Sequence, residues 1–392
     1  MYRIGQEEID AVARAILSRD FFKINGSGQE VLRFEEEWKA FTGSAHALLM
    51  TSGYAALASG LIGMGIGPGD EVIVPAYTYI ATALAVLETG AIPVIADTDE
   101  TLTLSAKDTE KKITPRTKAI IPVHIQGFPS DMDGLRAVAA RHGVRILEDA
   151  CQSAGGCYHG RPLGSIGDAG AYSFNYFKII TSGEGGALVT NDRTIHERAL
   201  IYHDASAVAF FGSQLDGISE PLFGGREYRV SDLTGAILRE QLKRLPSLRA
   251  DLKRVQRTIA ESLAGILTLA PSHDFEGDTG TTLAFRFESE AETRRFAAKC
   301  AEGGIGLTVP IDTGKHVYTN WTQVMEKRGA LNPLMDPYRM EANRGAACDY
   351  TPEMCSKTLD LLARTAYLAV NPEWSEADIA HVTGVLADAA KG

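Results

Sequence analysis

The chain has 392 residues, of which 45% are hydrophobic and 23% charged, with a formal net charge of −11 and a pI near 5.4. That length exceeds what one hydrophobic core usually serves, so about two domains are expected, and the acidic balance argues against nucleic acid or an anionic membrane as the main partner. The cysteines at 151, 157, 300, 348 and 355 form neither a CxxC pair nor a cluster with histidine, which speaks against a disulfide framework, a structural zinc or any other metal site.

The segment from Ile4, IGQEEIDAVARAIL, reads as an amphipathic helix with acids in its first turn. It lacks the basic-then-apolar order of a signal peptide, and no run of about 18 apolar residues marks a membrane span, so a cytoplasmic protein is expected. Ala45 to Met50 reads as a strand leading into Thr51-Ser52-Gly53-Tyr54, and Ala55 to Met64 has helical spacing through Leu57, Leu61 and Met64. A helix that begins at Gly53 and Tyr54 aims its free amides at an anion. Further strands are expected at Glu71 to Val74, Ile92 to Ala96, Ala119 to Val123, Val144 to Leu147, Gly170 to Phe174 and Gly186 to Thr190, with a helix from Ile80 to Glu88. Such alternation predicts parallel strands joined by crossover helices in one large sheet.

Ala205 to Glu227 is the least regular stretch, and loops of that length in a compact enzyme are often functional. From about Gln241 the texture changes to a long basic-rich helical run, so the chain divides into residues 1–240 and 241–392. Beyond it, Thr281 to Phe287 and Ile305 to Val309 read as strands. Ser289 to Glu302 reads as a helix with Ser289 and Glu292 at capping-box spacing, and the segments from Ser356 and Ser375 close the chain with helix, strand and helix.

The chemistry concentrates in EDACQSAGGCYHGRPLGSIGDAGAYSFNYFKIITSGEGG, from Glu148 to Gly186. Asp149 ends an apolar run, which places it at the carboxyl end of a buried strand, where open α/β sheets bind ligands. Lys178 stands 29 residues downstream, flanked by aromatics and followed by Gly183, Gly185 and Gly186. A pyridoxal phosphate enzyme needs an amine that forms an imine with the cofactor's aldehyde, and a carboxylate that keeps the pyridine nitrogen protonated. Lys178 and Asp149 suit those roles, and Ser173 can turn its hydroxyl to a phosphate. Singly, each has a plainer reading: a surface lysine, a turn aspartate, a small buried Cys151.

The same motifs, with GPGDEVIVPAYTYIATALAVLETGAIPVIAD and TPRTKAIIPVHIQG upstream, resemble the sugar aminotransferases of the DegT/DnrJ/EryC1/StrS type across nearly the whole chain. The resemblance implies a fold-type I aminotransferase, α/β, with a large mixed, mostly parallel sheet flanked by helices and a smaller C-terminal α/β domain. It implies Lys178 as the Schiff-base lysine, Asp149 as the pyridine-nitrogen partner, Gln152 as a contact to the cofactor's 3-hydroxyl side, Ser173 with Gly53 and Tyr54 at the phosphate, and Tyr79 stacked on the ring. Two positions depart from the family pattern. Tyr54 stands where threonine is usual, so only its backbone contact carries over. In FGGREYR, Glu227 stands at the asparagine that reaches the neighbouring subunit's cofactor phosphate. A carboxylate there would be repelled. Arg226 offers a charge-assisted substitute or else a surface salt bridge, and Arg229 matches the family arginine.

The implied reaction moves an amino group from L-glutamate or L-glutamine to a keto-sugar or related polyol ketone, in a homodimer with its sites at the interface. The cofactor would alternate between pyridoxal and pyridoxamine phosphate. His124, His316 and Tyr318 are candidate substrate contacts, beside His203, Asn320 and Trp321. Two readings compete: a sugar dehydratase of the same fold, which carries histidine in place of Lys178, and a catalytically silent regulatory protein that binds the cofactor. A nicotinamide dehydrogenase is disfavoured because no GxGxxG follows the first strand.

Overall fold

The computed structural model describes residues 3–23, 29–205 and 217–391. In chain order its elements are α1 (Gln6–Ser18), α2 (Glu30–Thr42), β1 (His46–Met50), α3 (Gly53–Gly63), β2 (Glu71–Pro75), α4 (Ala81–Glu88), β3 (Ile92–Ala96), α5 (Ala106–Lys112), β4 (Thr117–Ile120), α6 (Met132–His142) and β5 (Arg145–Asp149). There follow the hairpin β6 (Cys157–Tyr158) and β7 (Arg161–Pro162), then β8 (Ala169–Ser173), β9 (Gly186–Thr190), α7 (Arg193–His203) and α8 (Asp232–Ser262). The last part holds β10 (Thr282–Arg286), α9 (Glu290–Glu302), the one-turn α10 (Thr322–Met325), α11 (Ser356–Ala363), β11 (Thr365–Ala369) and α12 (Glu376–Ala390).

Seven strands form one sheet in the order β1-β9-β8-β5-β4-β2-β3, in which only β9 runs against its neighbours. Runs such as Val72-Ile73-Val74 are buried without alternation because helices cover both faces of a parallel sheet. On one face lies α3, whose residues are apolar nearly all round and buried, packed on β8, β9, α4 and α7. On the other, Val31, Phe34 and Trp38 of α2 join Leu238, Leu245 and Leu252 of α8 over Ala187 and Val189. Each large side chain fully buried this way contributes about 1.5–3 kcal/mol.

The long helix expected near Gln241 begins at Asp232, whose carboxylate accepts the Val31 amide at 2.9 Å, and it continues past Pro246 without a break, so residue 240 lies within it. Ser289 caps α9 by accepting the Glu292 amide at 3.2 Å, but the Glu292 carboxylate accepts from Glu288 N–H rather than closing the box on Ser289. Residues 305–309 do not make the expected strand. Only Thr308 pairs there, in a bridge to Tyr367, because Gly304 and Gly306 interrupt the run and Pro310 has no N–H to donate. Similarly β4 stops at Ile120, short of Val123, since Pro122 cannot donate to the ladder. The irregular stretch 205–227 falls partly on residues 206–216, outside the described residues. No described helix is long and apolar enough to cross a membrane.

Candidate active site

The carboxyl ends of β1, β2, β5 and β8 and the start of β9 meet along one edge of the sheet, and the loops that leave them enclose a cleft of 590 Å³. Asp149, the last residue of β5, lines it together with Gln152, Ser173, Lys178, Gly53, Tyr54, Tyr79 and His316. Eight residues singled out across more than half the chain thus share one wall-to-wall space.

Asp149 is buried and held at both oxygens. Oδ1 accepts the Cys151 N–H at 3.1 Å, and Oδ2 accepts the Thr82 hydroxyl at 2.8 Å, which is itself 2.8 Å from the hydroxyl of Thr78. A carboxylate with one donor at each oxygen is held in a fixed orientation. Thr78 and Thr82 escaped the reading of the sequence, although their four-residue spacing at the start of α4 puts both hydroxyls on one side.

Gln152 is oriented by its neighbour. The Gln126 N–H donates to Gln152 Oε1 at 2.9 Å, which leaves the amide nitrogen, a pure donor, for an acceptor in the cleft. Gln126 sits at φ +54°, uncommon for a residue with a side chain, and is fixed there because its carbonyl accepts the Thr281 hydroxyl at 2.8 Å and its side-chain oxygen accepts from Thr282. Residues on β10 and just before it therefore brace the cleft of the large sheet. The same cradle explains Gly53: a Cβ there would lie 2.6 Å from Cys151 Sγ and 2.8 Å from Ser173 Cβ. The start of α3, capped by Ser52 through the Ala55 amide, can thus approach an anion beside Ser173.

Lys178 is half-buried, between the exposed aromatics Tyr176 and Phe177 and the buried Ile179 and Ile180. Opposite it stands His316, whose Nδ1 lies 3.3 Å from the Thr313 carbonyl and whose ring is 5.3 Å from that of Tyr79. Burial lowers the His316 pKa, and the Lys178 ammonium lowers it further. The Cys151 thiol is pushed well up by burial and by Asp149, so it stays protonated and is no nucleophile.

Other candidates lie outside the cleft lining. His124 is fully buried, accepts the Ser130 amide at Nδ1 and bonds Glu148 at 2.9 Å through Nε2. Glu148 also accepts the amides of Gly164, Ile166 and Gly167, so this pair anchors the turn after β7. Tyr318 is buried with its hydroxyl bonded to the Pro352 carbonyl and the Cys355 amide. His203 is buried, and burial pushes its pKa down to about 3.

The two positions that depart from the family pattern take definite form, and Arg226 and Glu227 lie outside the cleft lining. Tyr54 turns its hydroxyl toward Glu88, which accepts from Tyr228 at 2.6 Å and from Tyr202 at 3.0 Å. Glu227 pairs with Arg229, which also holds Asp204 at 2.7 Å. Exposed Arg226 has its Nε 3.6 Å from Glu88.

Several comparisons bear on what this arrangement does. A model of the DegT/DnrJ/EryC1/StrS aminotransferase family matches residues 3–332. The chain is 40% identical over 273 residues to the spore coat polysaccharide biosynthesis protein SpsC of Bacillus subtilis (strain 168), which covers 68% of this chain and 69% of that protein. It is 38% identical over 267 residues to the dTDP-3-amino-3,4,6-trideoxy-alpha-D-glucose transaminase of Streptomyces venezuelae, covering 68% of each. The crystal structure of S. venezuelae DesV in complex with a ketimine intermediate superposes with a TM-score of 0.78 at 30% identity, over 99% of this chain and 95% of that one. The fold is that of the fold-type I aminotransferases, and the chain is an enzyme of that class, dependent on pyridoxal phosphate. Within the class it belongs to the DegT/DnrJ/EryC1/StrS family of sugar aminotransferases.

Proposed function

We propose that the enzyme transfers an amino group from L-glutamate or L-glutamine to a keto-sugar or related polyol ketone in amino-sugar biosynthesis. The observation that carries this reading is the meeting of Lys178, Asp149, Gln152 and Ser173 in one cleft at the carboxyl edge of the sheet. Bound there, pyridoxal phosphate supplies an aldehyde that joins to amines and a ring that takes up electrons. Everything else falls to the chain. Lys178 Nζ would be the amine that holds the cofactor and, when free, the group that carries the proton at the donor's α-carbon. Asp149, oriented by the Thr82 hydroxyl and the Cys151 amide, would keep a proton on the pyridine nitrogen. Gln152 offers its amide nitrogen to the ring's oxygen. Tyr79 covers the ring, and Ser173 with the amides of Gly53 and Tyr54 receives the phosphate.

Arg226 takes over part of the phosphate contact from Glu227, whose charge is committed to Arg229 within the same chain. His316 faces the substrate. His124 and Tyr318, with their polar atoms spent inside the protein, act in this reading through the shape of the cleft. Retention of Lys178 supports transamination over dehydration.

The half-reaction tests this. Adding L-glutamate or L-glutamine to the cofactor-loaded protein is expected to replace its visible absorbance band with one further into the ultraviolet and to release the matching keto acid. A band that never responds to either donor would favour the silent regulatory reading, and ammonia release with a deoxy product would favour the dehydratase.

The exposed Tyr79 and Phe177, both lining the cleft, support a homodimer with the sites at its interface. Sedimentation of the active, cofactor-loaded protein should give the mass of two chains. An active species at 42.2 kDa would end that part of the reading.

A further inference from the structure

The turn that carries Gln152 and Ala154 into the cleft continues through Gly155 and Gly156 into a second groove, of 760 Å³, that the reaction does not use. Its other lining comes from Phe41 at the end of α2, Cys157 and Pro162 of the β6–β7 hairpin, Glu276, and α8. A volume of that order is in the range of small-molecule sites.

Two features of the groove point to one kind of ligand. The first is a stack of rings. Phe34, Trp38 and Phe41 recur on one side of α2, with Phe34 stacked on Trp38 at 5.7 Å and 20° and Trp38 on Phe41 at 5.4 Å and 23°. Phe34 and Trp38 are buried, and Phe41, the last ring of the ladder, is the one that reaches the groove. A flat heterocycle placed there continues a stack the protein has already built.

The second is a pair of guanidiniums with donors left over. Along α8, Leu245, Arg249, Lys253 and Arg257 fall on one ridge at every fourth residue. Lys253 is buried and spends its three donors on Gln256, Asp278 and the Phe275 carbonyl, and Arg257 is paired with Glu276. Arg249 is different: Nη2 is shared among the carbonyls of Glu276, Gly277 and Asp278 at 3.1–3.3 Å and Nε is buried out of reach, while Nη1 bonds no described residue and is the donor left for the groove. The Arg254 guanidinium is exposed and makes no hydrogen bond or ion pair with any described residue. The two lie about 7.5 Å apart along the helix axis. Glu261, which forms no ion pair with a described residue, lies about 10 Å beyond Arg254 along the helix axis. One end of the groove is therefore cationic in a chain whose net charge is −11.

We propose that this groove binds a nucleotide, with its base stacked on Phe41 and its phosphate held by Arg249 and Arg254, whose planar forks match phosphate oxygens. The site is separate from the cleft and does not depend on which ketone the enzyme aminates.

Titration calorimetry of the cofactor-loaded enzyme with AMP and UMP tests it, with adenosine, uridine and inorganic phosphate as partial ligands. At least one nucleotide should bind saturably, and its nucleoside and phosphate alone at least about tenfold more weakly. Arg254→Gln, at an exposed position that leaves the fold intact, should weaken the nucleotide about tenfold or more, and Ser173→Ala, in the cleft, should leave it unchanged. The proposal is overturned if neither nucleotide binds, if Arg254→Gln and Arg249→Gln bind as the parent does, or if Ser173→Ala abolishes binding, which would assign the nucleotide to the cleft.

Discussion

Replacing Lys178 with alanine is expected to abolish the visible absorbance of the cofactor-loaded enzyme, to prevent borohydride from fixing the cofactor to the chain, and to cut turnover by at least about 10³-fold. The magnitude follows from the two tasks proposed for the residue, one nitrogen serving as both the amine that links to the cofactor and the proton carrier. The fold should survive, because Lys178 is only half-buried and the segment is held by other bonds: Phe174 to Gly185, Ser182 to Phe174, and the Thr181 hydroxyl to the Phe174 carbonyl. Circular dichroism of the variant checks that separately. Retention of both the yellow colour and the borohydride adduct would take Lys178 out of its role, whatever the activity.

The second large effect is expected at Asp149. Asn at this position keeps the shape of the side chain but removes the charge proposed to hold a proton on the pyridine nitrogen, so turnover should fall about 10²–10³-fold while the cofactor still binds. The loss is sharpened by the surroundings. The Cys151 amide and the Thr82 hydroxyl both donate to the carboxylate, and an asparagine must set its own NH2 against one of them. Single-turnover kinetics with saturating cofactor distinguish this from weak binding. Thr82→Val, which removes one donor and leaves the charge, should show the same defect in a milder form. Unchanged single-turnover rates in the Asp149→Asn variant would mean that another group protonates the ring.

Much of this site is legible in the sequence because its key residues are tied to strand ends. Asp149 follows four consecutive strand residues, and once that run is recognised as buried and parallel, the carboxyl edge of the sheet is where its side chain must emerge. Lys178, Ser173 and the glycines come next in the same order. The residues that orient them were not legible. Thr82 acts on Asp149 from 67 positions away, and Thr281 and Thr282 reach Gln126 from more than 150. A hydroxyl that matters only for what it touches leaves no periodic mark. His124 misled for a related reason: a histidine after a strand looks like a ligand to the cleft, and only packing reveals that both ring nitrogens are spent on Ser130 and Glu148. Tyr318 shares that fate.

The departures at Tyr54 and Glu227 divide the same way. That they break the family pattern is visible in one dimension. That Tyr54 turns to Glu88 follows from the packing of α3 on α4, whereas Glu227 is neutralised by its near neighbour Arg229, which Asp204 holds in place.

By itself the sequence determined the sheet-forming runs, the helix that opens at Gly53, the order of acid, serine and lysine, and with them the class of chemistry, since backbone periodicity and residue type are local properties. Tertiary structure alone decided which candidates share the cleft, that Gln152 faces it with its donor end, that the run 305–309 stays a bridge, and that the α2 ring ladder meets unspent guanidiniums of α8. Those outcomes depend on contacts between residues far apart in the chain, and such contacts exist only once the sheet has been assembled and its helices packed.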